Sequence, residues 1–301
     1  MEEHRIKEEV KQFYDQVGWT LVSEDVYQNA RYEDLRPVSR DYIHRCHLRV
    51  AQHLKSQGRF LLDAGSGPVQ YPEYLEYQRG YLYRVCADIS YTALTEARKR
   101  LTAAGCRGLY VVADVANLPF RPDVFDGIIS LHTIHHLTED EHLQAYQELH
   151  RVLAPQSSAV VVHGWPDSRL MRFFEPFVKI GHRLRSIFFR VAIKQQPGRR
   201  SRLSQQRPAP PYSEEGPGET EFRKGTFTSR HDVAWVKNEV GAHMEVEIRV
   251  WRSASVRFLR AVIHPYLGGR AWLRLLYWLE ERYPHFFGEQ GKYPLIVIRK
   301  K

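Results

Sequence analysis

A regular alternation of short apolar runs and amphipathic stretches fills residues 58–164 and constrains the fold more than any other feature of the chain. Strands are predicted for the apolar runs, at 60–62, 83–87, 109–113, 125–130 and 159–163. Helices are predicted between them, at 72–78, 91–104 and 139–153. Strand–helix–strand units of roughly 25 residues are typical of a parallel sheet with right-handed crossovers. The predicted fold class is therefore α/β.

The segments around this alternation divide the chain into four predicted units. Residues 1–57 are helical in pattern and form an N-terminal lid, and residues 58–164 are the ligand-binding core. Residues 165–230 are a basic, aromatic insertion that acts as a cap and contains a mobile loop rich in proline, glycine and serine. Residues 231–301 return to the core with two strands, MEVEIRVW and YPLIVIRK, around a helical insertion at 253–291.

Acidic residues follow the first three predicted strands, at Asp63, Asp88 and Asp114. The carboxyl ends of parallel strands meet at one edge of a sheet, where open α/β sheets bind their ligands. Gly65 and Gly67 come directly after the first acid, and glycine lets a backbone approach a ligand closely. The sequence therefore predicts a shared ligand site at this edge.

The chemistry of these residues narrows the choice of ligand. A dinucleotide fingerprint requires a third glycine, but GSGPVQ has Gln70 there, and the Asp63 carboxylate would repel a pyrophosphate. Asp88 is placed to accept hydrogen bonds from ribose hydroxyls. Asp114, with the backbone of Val115, is placed to read an adenine amino group and ring nitrogen. A phosphate-free nucleoside with a cationic, amino-acid-like tail satisfies all three acids, and S-adenosylmethionine is such a molecule.

Five segments in order, LLDAGSGP, VCADIS, VVADVANLPF, FDGIISLHTIHHL and ELHRVLAP, resemble the successive motifs of class I S-adenosylmethionine-dependent methyltransferases. The resemblance covers about residues 58–164 and is closest to the small-molecule branch that includes ubiquinone- and menaquinone-biosynthesis-type enzymes. It implies a Rossmann-like, seven-stranded, mostly parallel sheet with helices on both faces and an antiparallel last strand. The helical insertions would form a cap over this core.

The same resemblance assigns the cofactor contacts. It places the methionine end of S-adenosylmethionine against the glycine loop, the ribose after the second strand, the adenine after the third, and the sulfonium at the end of the fourth. The residues implied are, in that order, Asp63, Gly65, Ser66 and Gly67; Asp88 and Ile89; Asp114 and Val115; Ser130 and Leu131. One departure from the family is Val69, preceded by Pro68, where a glycine is frequent; this stiffens the loop.

Histidines follow the fourth strand and are the candidates for catalysis. Methyl transfer from a sulfonium is an in-line displacement that needs a general base only when the acceptor carries a proton. His132 and His135 are the leading candidates because imidazole titrates near neutral pH, with His136 and His163 as further ones. The alternative is that these histidines cap a strand or pack beneath a loop. Tyr14 and Trp19 would similarly cover the donor as a lid or belong to the core of a capping helix.

The net charge of +9 is concentrated in one segment. Residues 165–212 contain eleven Lys and Arg against Asp167 and Glu175, which accounts for the whole excess. A stripe at helical spacing consists of Leu170, Phe173, Phe177, Ile180, Leu184, Ile187 and Val191. Three interpretations are open: a cap that packs its apolar face on the core, a helix at an anionic membrane surface, and a nucleic-acid surface. Nucleic acid is the disfavoured partner, since the stripe is continuous and no RNA-binding module is visible.

The sequence therefore predicts a methyltransferase with S-adenosylmethionine as cofactor and a small or lipid-like molecule as substrate. The methyl group is expected to go to oxygen; the alternatives are carbon methylation of a quinone-like or isoprenoid substrate and a non-catalytic S-adenosylmethionine-binding module. Cys46, Cys86 and Cys106 lack metal-ligand spacing, so no metal site is predicted. No apolar run reaches about 18 residues, so the expected location is cytoplasmic, with peripheral membrane contact through 169–194 as a further option.

Overall fold

The computed structural model describes residues 2–19, 21–23, 26–27, 33–194 and 226–301. The segment predicted to be a mobile loop, residues 195–220, lies outside the described residues. A short antiparallel pair, β1 (Leu21–Ser23) with β2 (Val26–Tyr27), precedes the main sheet.

A seven-stranded sheet forms the centre of the fold. Its strands in chain order are β3 (Gly58–Ala64), β4 (Tyr81–Asp88), β5 (Gly108–Val112), β6 (Phe125–Leu131), β7 (Leu153–Val162), β8 (Glu245–Arg252) and β9 (Tyr293–Lys300). Their order in space is β5-β4-β3-β6-β7-β9-β8. Only β9 runs antiparallel to its two neighbours in this sheet. This confirms the predicted Rossmann-like sheet, including the antiparallel last strand in sequence.

The central strands are apolar on both faces because helices cover the sheet on both sides. Leu61 and Leu62 of β3 are both fully buried but belong to two different core clusters, one on each face. Val160 and Val161 of β7 divide between the two clusters in the same way. This burial on both faces explains why the sequence shows continuous apolar runs at these strands.

Ten α-helices lie within the described ranges. They are α1 (Glu2–Phe13), α2 (Arg40–Leu48), α3 (Glu73–Glu76), α4 (Tyr91–Ala103), α5 (Glu139–Val152), α6 (Arg169–Lys194), α7 (Val233–Trp235), α8 (Val256–Val262), α9 (Gly269–Arg282) and α10 (Pro284–Gln290). The Ser90 side chain accepts a hydrogen bond from the Ala93 N–H at the start of α4. Thr138 and Glu141 form a capping box at the start of α5. These caps explain why the sequence located the starts of α4 and α5 closely.

A separate apolar cluster joins α2, α6, α8 and α9 into a helical layer. The face of α6 that packs there carries Met171, Phe174 and Val178. Of the three interpretations left open for the apolar stripe, packing on the core does not hold for three of its described members: Phe173, Phe177 and Ile180 are 69%, 55% and 53% exposed. These side chains are exposed because α6 packs against α8 through a different face. A β-carbon on Gly181 would lie 2.3 Å from the Ala261 carbonyl oxygen, so glycine permits this contact and selects the packed face.

Within the described ranges, no helix combines the length and the apolar character needed to cross a membrane.

Candidate active site

The three predicted acids lie along one edge of the sheet. Asp63 is near the end of β3, Asp88 ends β4, and Asp114 follows β5. The three strands are neighbours, with Asp63 paired to Cys86 and Asp88 paired to Val112. The structure therefore brings together the carboxylates that the sequence placed after three consecutive strands.

Asp88 is held by two backbone hydrogen bonds. Its Oδ2 accepts from the Gly67 N–H at 2.8 Å, and its Oδ1 accepts from the Ser90 N–H at 2.9 Å. Burial raises the pKa of Asp88 to about 6, against the opposing effect of these hydrogen bonds. Each oxygen keeps a second acceptor site, so the geometry suits a carboxylate that receives two ribose hydroxyls.

The glycine loop has the backbone that glycine favours. Gly65 has φ +73°, and a β-carbon there would lie 2.1 Å from the Thr133 side chain. Gly67 has φ +52°. Val69, the departure from the family pattern, also has φ 54°, a conformation that is unusual for a β-branched residue. The valine therefore follows the path that a glycine would take, rather than redirecting the loop.

Asp63 forms an ion pair with Arg84, which was not predicted from the sequence. Its Oδ2 accepts from Nε and Nη2 of Arg84 at 3.1 Å and 2.5 Å, and Arg84 is fully buried. Burial raises the pKa of Asp63, while Arg84 opposes this rise. The carboxylate is therefore charge-neutralised within the protein. The sequence did contain an indication of this pair, because a single basic residue stands inside the apolar strand YLYRVCAD. A buried arginine requires an acidic partner.

Lys7 joins Asp114 to the N-terminal helix α1, and this contact was not predicted from the sequence either. Asp114 Oδ1 accepts from the Ala116 N–H at 2.9 Å, and its Oδ2 lies 2.5 Å from Lys7 Nζ. Lys7 pairs with Glu141 as well. Burial lowers the pKa of Lys7, but the hydrogen bonds to Asp114 and Glu141 outweigh this and raise it overall. The side chain proposed to read adenine is thus also an anchor of α1.

The segment after α1 lies across the same edge. Ser90 Oγ donates a hydrogen bond to Asp15. The ring of Trp19 lies 3.0 Å from the position of a β-carbon on Gly67, and Tyr14 stacks on Trp19 with ring centroids 4.9 Å apart. These contacts place the N-terminal segment over the loops that follow β3 and β4, which favours the lid interpretation.

The end of β6 presents Ser130, Leu131 and His132. Ser130 is fully buried, and its hydroxyl has no hydrogen-bond partner among the described atoms. His132 has φ 58°, a left-handed conformation that histidine tolerates better than most residues. Its backbone N–H donates to the Val162 carbonyl oxygen at 2.7 Å. The strand end is therefore fixed while the imidazole turns toward β8 and β9.

Burial makes all four candidate histidines weak bases. It lowers the pKa of His132 to about 3 and those of His136 and His163 to about 4, and it holds the pKa of His135 well below its usual value. All four rings are therefore neutral at neutral pH.

The candidate histidines differ in which of their ring nitrogens form hydrogen bonds. His136 has both ring nitrogens engaged, Nε2 with the Tyr14 hydroxyl at 2.7 Å and Nδ1 with the Phe227 carbonyl oxygen at 2.8 Å, so it ties the lid to the core. His163 Nε2 lies 3.2 Å from the Tyr146 hydroxyl. His135 Nδ1 is buried without a hydrogen-bond partner in the described part of the chain. His135, one of the two leading candidates, therefore keeps Nδ1 for another group.

A further cluster at this edge was not found from the sequence. Arg252 ends β8, and its guanidinium lies 5.0 Å from the ring centroid of Trp251 and 4.7 Å from that of Tyr293. The His132 ring lies 5.1 Å from the Trp251 ring. Arg252 forms an ion pair with Glu33 at 2.5 Å. The sequence indicates this cluster only through Arg252, a basic residue directly after an apolar strand. Its partner Glu33 is far away in sequence.

The sequence of the chain is similar to those of known methyltransferases. Residues 62–161 match the sequence model of the family described as "Methyltransferase domain". The chain is 32% identical over 147 residues to "Probable tRNA methyltransferase 9B" of Homo sapiens, covering 48% of this chain and 30% of that protein. It is 31% identical over 136 residues to "tRNA (carboxymethyluridine(34)-5-O)-methyltransferase" of Arabidopsis thaliana, covering 39% and 31%. The match thus spans about 30% of the length of these curated relatives.

Two solved structures share the fold. Phosphoethanolamine N-methyltransferase 2 of Haemonchus contortus, with S-adenosyl-L-methionine bound, has a TM-score of 0.52 and 13% identity and covers 97% of this chain and 60% of its own. The [4+2]-cyclase SpnF has a TM-score of 0.50 and 13% identity, with 98% and 96% covered. At this identity the likeness shows the fold alone.

The curated relatives correct one expectation. The prediction of a small or lipid-like partner, with nucleic acid disfavoured, is wrong, because these relatives are named as tRNA methyltransferases. Membrane contact through 169–194 is not tested by these relatives and stays a prediction. The error has a physical reason: a basic surface with exposed aromatic rings can contact RNA without a separate RNA-binding module. The narrower resemblance to ubiquinone- and menaquinone-type enzymes is not confirmed by these relatives.

Proposed function

Because the chain carries a class I S-adenosylmethionine-dependent methyltransferase domain, as its sequence predicted, we propose that it methylates RNA, with tRNA as the substrate class. The observation that carries this proposal is the similarity of about half of the chain to proteins named as tRNA methyltransferases. Those relatives are much longer than the segment that they share with this chain.

The outer surface of the helical cap supports an RNA substrate. Arg172 and Lys179 of α6 and Arg274 of α9 are exposed, and Trp272 and Trp278 of α9 are 61% and 59% exposed. Basic side chains neutralise phosphates, and exposed aromatic rings stack on unpaired bases. Phe173, Phe177 and Ile180, the exposed members of the α6 stripe, lie on the same helix as the exposed Arg172 and Lys179.

The residues at the sheet edge are proposed to bind the cofactor as follows. Asp88 accepts the ribose hydroxyls, and Ile89 lies beside them. Asp114 and the backbone of Val115 contact the adenine, with Lys7 sharing the Asp114 carboxylate. Backbone groups of Gly65, Ser66 and Gly67 line the methionine end, while Asp63 acts mainly through Arg84 to fix the strand end. Ser130 and Leu131 lie beside the sulfonium.

When bound, S-adenosylmethionine supplies a methyl group on a positively charged sulfur. His132 and His135 are the proposed catalytic residues; as neutral rings they hold and orient the acceptor, and their low pKa values make proton removal a minor part of their role. Oxygen is the proposed acceptor atom, which agrees with the printed name of the Arabidopsis relative. The helical cap and Trp19 exclude water from the donor.

The test is transfer of a tritiated methyl group from S-adenosylmethionine to purified bulk tRNA. We expect radioactivity that precipitates with RNA and is released by ribonuclease, and its loss in Asp88→Ala. Arg299→Ala, an exposed position near the opposite end of the sheet, is the matched control and keeps the transfer. A wild-type protein that binds S-adenosylmethionine but transfers no label to RNA would overturn the proposal and favour a non-catalytic binding module.

A further inference from the structure

His136 joins two separate parts of the chain through one imidazole ring. Its Nδ1 lies 2.8 Å from the Phe227 carbonyl oxygen, which only accepts hydrogen bonds, so Nδ1 carries the proton. Burial lowers the pKa of His136 to about 4, and the neutral ring therefore has a bare Nε2. The Tyr14 hydroxyl lies 2.7 Å from Nε2 and donates to it. One tautomer of His136 thus serves both partners.

On one side, the His136 ring holds the N-terminal lid in place. Tyr14 stacks on Trp19 with ring centroids 4.9 Å apart and an interplanar angle of 22°. The Trp19 ring in turn lies 3.0 Å from the position of a β-carbon on Gly67, in the loop proposed to line the methionine end of the cofactor. The hydrogen bond from Tyr14 to His136 therefore fixes the two stacked rings over the cofactor site.

On the other side, the ring holds residues 226–231, which lead into α7 and are named here the return segment. His136 donates to the Phe227 carbonyl oxygen, and the Ser229 N–H donates to the His135 carbonyl oxygen at 2.8 Å. The return segment therefore lies along the chain that carries His135, one of the two proposed catalytic residues.

Arg230 gives the return segment a positive charge beside the active site. Its side chain is exposed, and no acidic side chain in the described ranges forms an ion pair with it. Burial is the main cause of the low pKa values of His135, His136 and His163, and the charge of Arg230 adds to it. Burial and then the same charge lower the pKa of the partly buried Lys292. An arginine without an acidic partner at this place suits a backbone phosphate of RNA.

The two hydrogen bonds of His136 depend on each other. A chain of bonds from a hydroxyl through a neutral imidazole to a carbonyl polarises each of its members, so loss of one bond weakens the other. A lid that opens removes the Tyr14 donor, and a return segment that moves away removes the Phe227 acceptor. The closed lid and the docked return segment therefore stabilise each other, and ligands that bind these two parts are coupled.

We propose that Arg230 binds a phosphate of the substrate RNA and that His136 is a positioning residue through which this contact closes the lid over the cofactor. The inference rests on the proposed RNA methyltransferase function and adds the regulation of its cofactor site. RNA bound at Arg230 holds the return segment against His136. The ring then keeps its bond to Tyr14, and the stacked Trp19 covers the donor. By reciprocity, the bound cofactor tightens RNA binding by the same factor.

The test measures the affinity of the protein for S-adenosylhomocysteine by calorimetry, with and without saturating bulk tRNA. This product form of the cofactor allows no turnover during the titration. We expect tRNA to tighten its binding to the wild-type protein by about 5- to 20-fold. Tyr14→Phe keeps the stacked ring but loses the hydroxyl donor, and it should abolish this tRNA effect. Tyr266→Phe, at a position 90% exposed, is the matched control and keeps the effect.

Two substitutions of His136 separate its two bonds. Asparagine places an amide N–H near Nδ1 and can keep the bond to Phe227, whereas glutamine places an amide oxygen near Nε2 and can keep the bond to Tyr14. Each variant keeps one half of the link, so both should lose the tRNA effect. Without tRNA, His136→Gln should bind S-adenosylhomocysteine more tightly than His136→Asn, because it keeps the bond to the lid.

Replacement of Arg230 by glutamine tests the RNA contact. We expect tRNA to bind more weakly, and the tRNA that still binds should no longer tighten S-adenosylhomocysteine binding, because it does not hold the return segment. Arg257→Gln, an exposed arginine paired with Glu175, is the matched control and keeps both properties. Arg230→Gln with wild-type tRNA affinity and an undiminished tRNA effect would overturn the phosphate contact.

The remaining outcomes are separable. Thermal unfolding shows which variants are folded, and Tyr14→Phe serves if neither His136 variant is folded. An undiminished tRNA effect in the folded Tyr14→Phe protein would overturn the role of His136. A wild-type protein that methylates tRNA but binds S-adenosylhomocysteine equally well with and without it would overturn this inference and leave the proposed function standing. Absence of transfer to any RNA would instead refute the proposed function, and this inference with it.

Discussion

Lys7 Nζ lies 2.5 Å from Asp114 Oδ2, so the N-terminal helix is attached to the carboxylate proposed to read the adenine. Asp15 accepts a hydrogen bond from Ser90, and the Tyr14 hydroxyl is hydrogen-bonded to His136. Together with the Lys7 contact, these bonds hold the N-terminal segment over the cofactor edge. We expect a cofactor that enters this edge to displace residues 2–19. Lid opening is therefore expected to control cofactor exchange.

Replacement of Lys7 by methionine should speed cofactor exchange. The variant loses the bonds from α1 to Asp114 and Glu141, so the lid opens more often while the ribose site is unchanged. We expect faster association and faster release of S-adenosylmethionine, followed by stopped-flow tryptophan fluorescence with Trp19 as reporter. Lys11→Met, on the same helix and 4.0 Å from Glu8, is the control with unchanged rates. Equal exchange rates in the Lys7 variant and the wild type would contradict the lid.

Protonation of Asp88 should weaken cofactor binding. The ionised carboxylate accepts the ribose hydroxyls, and burial raises the pKa of Asp88 to about 6, so affinity is complete above this pH and falls below it. Calorimetric titrations between pH 8 and pH 5 are expected to show a decline that approaches about tenfold per pH unit below the pKa. Asp88→Asn should bind more weakly and lack this component. The ribose assignment is wrong if Asp88→Asn and the wild type share affinity and pH profile.

The Asp63–Arg84 pair should be essential for stability. Arg84→Met leaves a carboxylate 3% exposed without its cation, a change that costs about 3–5 kcal/mol in the free energy of unfolding. The double variant Asp63→Asn/Arg84→Met removes both charges and should recover most of that loss. Urea unfolding of the three proteins measures this. A single variant as stable as the wild type would show that Asp63 is solvated rather than paired.

Buried neutral histidines should make the protein sensitive to mild acid. Burial lowers the folded-state pKa of His163 from the ordinary 6.5 to about 4, so its contribution to stability is complete above pH 6.5 and is lost as the pH falls. Between pH 7 and pH 5 this loss amounts to about 2 kcal/mol for the one ring. The difference in unfolding free energy between these pH values should shrink by that amount in His163→Gln. His243→Gln, at an exposed position, should keep the wild-type difference.

The sheet and the three acids could be predicted from sequence because both are local patterns. Apolar runs mark β3, β4 and β5, and each acid stands within two residues of a strand end. The partners of those acids could not be predicted in the same way. Arg84 is separated from Asp63 by 21 positions, Lys7 from Asp114 by 107, and Arg252 from Glu33 by 219. Only the folded chain brings such residues together.

The helix α6 illustrates another limit. Helical periodicity identified an apolar stripe, but a second face, formed by Met171, Phe174 and Val178, is the one that packs. The choice depends on where Gly181 meets α8, which is a tertiary contact. Sequence periodicity therefore located a helix with apolar residues on more than one face and left its buried face undetermined.

The chemical identity of the methylated nucleoside tests the account most directly. The measurement is mass spectrometry of nucleosides from tRNA treated with the protein and S-adenosylmethionine that carries a trideuterated methyl group. We expect the heavy methyl on an oxygen atom of a tRNA nucleoside, and its absence with Asp88→Ala. A heavy methyl found on a carbon or nitrogen atom, or found in no nucleoside at all, would contradict this expectation.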